Sequence, residues 1–188
     1  MKKIRNYIKT RELRAIGLRD TAVKKLMAEG KLIKIRQGLY RDATMFNQNQ
    51  SFIDISIAVP RAVITGMSAL SYYNLTTFMP SKVTVAIPRG SKLPKISYPP
   101  NEIYTSVKTI FNRGISEIKE KGYTFRIYNL ERTVCEAFRM SNRVGIDVAK
   151  ESLKEYMKRK DKDINKLYKM AEFCKVKKKI TPWIMALV

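Results

Sequence analysis

The chain contains no histidine. That absence removes the side chain most used as a general base near neutral pH and the commonest transition-metal ligand, so Ser-His-Asp, Cys-His and His-based zinc mechanisms are excluded. Cysteine is scarce too: Cys135 and Cys174 are the only two, and they make neither a disulfide framework nor a metal-ligand spacing. Both read as core thiols. No run approaches the roughly 18 apolar residues of a membrane span, and no apolar stretch follows Lys2 and Lys3 as in a signal peptide. A cytoplasmic location with no membrane partner is expected. Acidic residues are few, 16 against 38 Lys and Arg, which leaves a formal charge of +22 on 188 residues. Self-repulsion of that size is best tolerated beside a polyanion, and nucleic acid is the leading candidate.

What is present suffices for a folded core: 45% of residues are hydrophobic and 29% charged, as in ordinary globular chains. The length fits one domain or a small module plus a larger one. Charge is densest at the front, where residues 1–46 hold thirteen basic and four acidic groups. Residues 45–51 are polar and without helical or strand periodicity, so a linker is placed there and two units are expected, 1–46 and 47–188.

Within the first unit the apolar spacing changes character. Ile4, Tyr7 and Ile8 fall at helical spacing and predict a short opening helix. Thr10 is the expected N-cap of a second helix, with Leu13 and Ile16 inward and Gly17 supplying the left-handed turn that closes it. Asp20 is the expected N-cap of a third, with Val23, Leu26 and Met27 inward, Gly30 as its stop, and Thr21, Lys24, Lys25 and Ala28 on the free face. Near-alternation of Leu32, Ile33, Ile35, Leu39 and Tyr40 around Arg36-Gln37-Gly38 then predicts a β-hairpin turning at Gly38. Two short helices across a Gly-containing turn, followed by a basic hairpin, are the pattern of a winged helix-turn-helix, whose later helix enters the major groove of double-stranded DNA. On that pattern Lys24, Lys25, Lys31, Lys34, Arg36 and Arg41 are the expected phosphate contacts, Arg36 alternatively entering a minor groove. Arg19, Thr21 and Gln37 are placed to approach base edges. A small helical module with solvated lysines, or a winged helix used for protein contacts, is the competing account.

In the second unit, apolar residues 55–59 and 83–87, each ended by proline, predict buried strands, with a helix from Gly66 to Leu75 between them. Further strands are expected over 102–107 and 123–128. A helix over 130–139 capped by Asn129 follows, then two more from about Asp147 and Asp163. The expected fold class is α+β: an N-terminal winged helix-turn-helix, then a larger mixed α/β domain whose last third is helical. Glu131 and Arg132, polar on a helix with an apolar face, are expected to form a structural ion pair or cap. Arg89, Ser91 and Lys92, on a loop after a strand, are candidate contacts to DNA or a protein partner. The run Lys175-Val176-Lys177-Lys178-Lys179 reads equally as solvated surface or phosphate contact.

These residues resemble the AbiEi-type antitoxins of type IV toxin–antitoxin systems and their transcriptional-regulator relatives. The resemblance covers most of the chain. It is carried by the run from Leu26-Met27-Ala28-Glu29-Gly30 into Arg36-Gln37-Gly38-Leu39-Tyr40, by Ser68-Ala69-Leu70 with Leu75-Thr76 and Pro80, by the strand at 83–87 with Pro88-Arg89-Gly90, and by Leu130-Glu131-Arg132-Thr133-Val134-Cys135-Glu136. The family pattern more often has Asp where this chain has Glu136. The resemblance implies a phage-defence repressor that binds inverted repeats in its own operator, cooperatively and as monomers, and whose second domain neutralises a nucleotidyltransferase-type toxin. A stand-alone regulator without a toxin is the alternative within that family.

Catalysis is not expected, nor a cofactor or metal. The best enzymatic alternative is a Mg²⁺-dependent nuclease using Asp54, Glu117 and Lys119, since Glu-x-Lys downstream of a carboxylate is a metal-nuclease spacing. In a chain this rich in lysine the triplet arises readily, and residues 117–122 read as a charged turn. No aromatic-rich stacking motif favours single-stranded RNA.

Overall fold

Side chains alternate between core and solvent from the start of the described chain: Ile8 is buried between half-buried Tyr7 and exposed Lys9, which makes a short strand, β1 (Tyr7–Lys9). The computed structural model that gives this view describes residues 6–187. The opening helix expected over Ile4, Tyr7 and Ile8 is thus corrected to a strand, and Ile4 itself lies outside the described residues. Three residues are too few to nucleate a helix, whereas here they pair antiparallel with Arg41, Tyr40 and Leu39.

Next come α1 (Thr10–Ala15) and α2 (Asp20–Ala28), then a hairpin of β2 (Leu32–Arg36) and β3 (Leu39–Asp42). The capping positions fall one residue earlier than the sequence suggests, at Lys9 and Arg19, and neither Thr10 nor Asp20 acts as cap. The Glu12 carboxylate instead accepts from the Lys9 N–H at 2.7 Å. Asp20 sits in the first turn of α2, where a negative charge faces the positive end of the helix dipole. Strands β1, β3 and β2, in that order, form an antiparallel sheet. Ile8, Leu13, Val23 and Leu32 are the core of this unit, with Leu18, Leu26, Met27 and Tyr40 packed round it.

Residues 50–58, whose last four were expected to begin a strand, form a helix, α3 (Gln50–Ala58). Gln50 and Ser51, read as linker, are its first turn. Ile53, Asp54, Ile55 and Ala58 are all buried, so the helix has little polar face, and a short apolar run without a face does not reveal its period. It covers one side of a five-stranded mixed sheet. The sheet's members are β4 (Val63–Ile64), β5 (Val83–Pro88), β6 (Asn101–Ser106), β7 (Ile115–Glu120) and β8 (Tyr123–Tyr128), ordered β6-β5-β4-β8-β7. Between them lie α4 (Gly66–Tyr72) and a one-turn α5 (Lys108–Phe111). Ile64, Val85, Phe125 and Ile127 pack on the α3 side, and Val63, Ala86 and Tyr128 meet Phe111 on the other, as strand alternation requires. Glu117 and Lys119 correct the expected charged turn: they are exposed positions of β7, an edge strand.

The last third is helical: α6 (Leu130–Arg139), α7 (Ser141–Val144), α8 (Ile146–Lys158), α9 (Ile164–Phe173) and α10 (Lys177–Met185). Asn129 and Asp163 cap α6 and α9 by accepting from the Arg132 and Lys166 N–H groups, each at 2.9 Å. Val134, Phe138, Leu153, Tyr156 and Leu167 form the core of this third with Leu70 and Leu75. Cys135 and Cys174 meet inside it as free thiols; the neighbouring Cys174 sulfur, and then burial, push the Cys135 thiol up. The basic run at 175–179 is exposed at its four lysines, and Lys177 opens α10. Among the described residues the protein is a mixed α+β structure, and no helix there is long and apolar enough to cross a membrane.

Helix α6 is buried on every side from Glu131 to Phe138. Arg132, with no exposed surface, pairs with Glu136 one turn on, and Arg139 reaches the same carboxylate at 2.6 Å. Glu131, next in sequence but on another face, instead accepts from the Tyr156 hydroxyl at 3.3 Å, because only residues three or four apart share a helix face. The Arg132 guanidinium lies 4.7 Å from the Tyr128 ring centroid. Its stem passes Gly114, where an added β-carbon would come to 3.0 Å from both Arg132 and Met170, at a φ of +71°. Gly114→Ala is accordingly expected to cost about 2–3 kcal/mol through overpacking and left-handed strain. A urea midpoint within error of the parent would refute that packing.

Candidate nucleic-acid interface

The backbone between α1 and α2 is fixed by hydrogen bonds rather than by length. Leu18 N–H reaches back to the Leu13 carbonyl at 2.9 Å, and Gly17 takes a φ of +87° that a side chain would resist. Val23, Leu26 and Met27 turn into the core, so the opposite face of α2 carries Thr21, Lys24, Lys25 and Ala28, all exposed. The hairpin is equally constrained. Arg36 pairs with Leu39 across a two-residue turn of Gln37 and Gly38, with Gly38 at φ +76°. The Gly38 carbonyl accepts from the Thr10 N–H at 3.1 Å, which pins the hairpin tip to the start of α1.

The result is a groove between α2 and the hairpin, of about 250 Å³, whose walls include Lys24, Lys34, Gln37 and Tyr40 with Arg14 and Asp20. A shallower hollow at the α1–α2 turn is lined by Arg14, Gly17, Arg19, Asp20 and Thr21. The two share Arg14 and Asp20, so Arg19, Thr21, Lys24, Lys34 and Gln37 occupy one continuous surface. Arg14, missed in the sequence, belongs there and holds both Asp20 oxygens at 3.3 Å. Its signal was an exposed base on the helix before the turn.

The other sequence-predicted bases divide. Lys25 and Lys31 flank Glu29, at 4.0 and 2.7 Å. The Lys31 hydrogen bond is the main reason the Glu29 carboxyl is held below its ordinary value; such exposed pairs exchange readily for a phosphate. Arg36 is half-buried and donates to its neighbour's carbonyl at Gln37 (3.3 Å), and it is not among the residues lining the groove.

Arg41 is a correction. It was expected at the phosphates, but its side chain is 5% exposed and its Nε lies 2.9 Å from Oδ1 of fully buried Asp54. Strand alternation decides this, since Arg41 follows Tyr40 on the face turned toward α3. Asp54 also accepts from the Tyr7 hydroxyl at 2.6 Å and from Gln50 at 2.9 Å. Burial raises the Asp54 pKa, against the opposing pull of Tyr7, Arg41 and Gln50; burial first, then the Asp54 carboxylate, push the Tyr7 phenol well up. The carboxylate proposed for a nuclease is therefore engaged by three side chains, while Glu117 faces solvent from β7.

Arg89, Ser91 and Lys92 lie elsewhere, on the turn after β5, beside Arg61 and Lys108. Among the described residues no three acidic or sulfur side chains gather as metal ligands. Comparison of the chain with protein-family models and with curated protein sequences finds no match.

Proposed function

We propose that the protein is a DNA-binding transcriptional repressor whose N-terminal unit is a winged helix-turn-helix, acting by binding rather than catalysis. One observation carries this reading: the exposed face of α2 and the basic hairpin converge on one groove, with Arg19, Thr21, Lys24, Lys34 and Gln37 along it. In that reading α2 lies in the major groove of an operator, Lys24, Lys34 and Arg36 meet phosphates, and Thr21 and Gln37 contact base edges. The resemblance to AbiEi-type antitoxins extends the proposal to a chain that represses its own operon and neutralises a nucleotidyltransferase-type toxin.

Selection of bound duplexes from a randomised library tests the repressor. Thr21→Ala and Gln37→Ala are each expected to change the selected bases at one or two positions, at about 1–3 kcal/mol of lost discrimination per base pair, while affinity for unrelated duplex stays within about twofold. An unaltered selected motif in both variants would remove these residues from base recognition. For the antitoxin role, a nucleotidyltransferase-type toxin gene is expected beside this one, and co-expression of the full chain with its product is expected to restore growth; absence of such a gene or continued arrest would leave a repressor only.

A further inference from the structure

A second basic hollow, of about 770 Å³, opens where the parallel strands β5 and β6 end. Four cations reach it from three separate connections: Arg61 before β4, Arg89 and Lys92 after β5, and Lys108 after β6. No carboxylate lines it among the described residues. Gathering four like charges round one concavity raises the free energy of the empty site, and a multivalent anion offsets that repulsion. Its volume is that of a small-molecule site, and the carboxyl ends of parallel strands are where α/β sheets commonly present ligands.

The rest of the lining narrows the ligand. Val59, Pro60 and Pro94 give the hollow an apolar side, which a simple phosphate would leave uncovered and a flat heterocycle would bury. The wall beyond Pro94 is held in advance of binding. Ile96 bridges to Arg36, and the Ser97 N–H donates to the Ile35 carbonyl at 2.7 Å, so the backbone just beyond Pro94 is anchored without a ligand. A duplex, in contrast, presents its phosphates on a convex rod and has no exposed ring for the apolar side.

We infer that this hollow binds a nucleoside polyphosphate, its phosphates among Arg61, Arg89, Lys92 and Lys108 and its base against Val59 and Pro60. Isothermal titration of the full chain with ATP and with GTP is the test, with inorganic triphosphate and a 20-base-pair duplex as separate probes. One nucleotide per chain is expected, with binding weakened about tenfold or more by Arg89→Ala with Lys92→Ala and by less than about twofold by the charge-matched control pair Lys160→Ala with Lys162→Ala. All four are exposed, so none of these changes threatens the fold. No binding of either nucleotide, equal weakening by both pairs, or triphosphate binding as tightly as the nucleotides would each overturn the inference. If the Arg89 and Lys92 pair lowered duplex affinity while nucleotides failed to bind, the hollow would belong to the DNA backbone instead. Failure of duplex binding alone would strike the repressor reading and leave this one standing.

Discussion

Arg41→Ala is expected to destabilise the protein by about 3–5 kcal/mol, because it leaves the Asp54 carboxylate buried without its cation. That is a large share of the roughly 5–15 kcal/mol that holds a domain folded. The residue also donates to the Met45 carbonyl at 2.8 Å, so the chain between β3 and α3 loses an anchor at the same time. The sign of the pH dependence follows from Asp54. Its pKa is raised by burial even with Arg41 present, and removing the cation raises it further. A carboxyl whose folded pKa exceeds the unfolded 3.8 costs nothing while both states are protonated. The cost grows as pH rises from the unfolded value through the folded one, then stays level. The deficit of Arg41→Ala should therefore be smallest in acid and full at pH 7. Urea unfolding at several pH values measures it, and a deficit that widened toward acid would contradict the assignment. Replacing both partners together, Arg41→Met with Asp54→Leu, should recover most of the loss.

The second large effect is on the proposed DNA binding. Substituting Lys24, Lys34 and Arg36 together by alanine is expected to weaken duplex binding on the order of a hundredfold near 0.1 M salt and to flatten the slope of log K against log salt by about 2.7, or about 0.9 for each lost phosphate contact. Fluorescence anisotropy across a salt series reads both quantities. All three residues are exposed or half-buried, so the loss should come without a change in thermal stability. An unchanged slope would place the duplex on another surface. Comparison with Arg41→Ala is informative here, since that variant is expected to lose stability and keep its slope at temperatures where it remains folded.

How far the sequence disclosed this molecule depends on whether a signal was local. Asn129 before Leu130 and the spacing of Val134 and Phe138 define α6 to the residue, because cap and periodicity both act within a few positions. Gly38 placed the hairpin turn for the same reason. Where burial is complete the signal vanishes: α3 has apolar residues on nearly every side, so residues 55–59 looked like a strand. β1 was invisible because its reason for existing is β3, more than thirty residues away. Partner choice was the least legible feature. Nothing near Arg41 announces Asp54, and nothing near Arg132 distinguishes Glu131 from Glu136 until the helix sets their directions. The same limit applies to the surfaces: the groove residues between Arg19 and Gln37 are close in sequence and could be grouped in advance, whereas Arg61, Arg89 and Lys108 meet only through the order of the strands.

The cluster of Tyr7, Arg41, Gln50 and Asp54, with Ile35 and Leu39 packed on Ala58, ties the hairpin to the helix that covers the large sheet. A protein hinged at that point would adapt to operators of varied spacing. This one carries its bulk at a set bearing, so in the proposed repressor two copies on opposed half-sites would keep a fixed phase along the duplex. Each base pair inserted between the half-sites turns one copy about 34–36° round the DNA axis relative to the other.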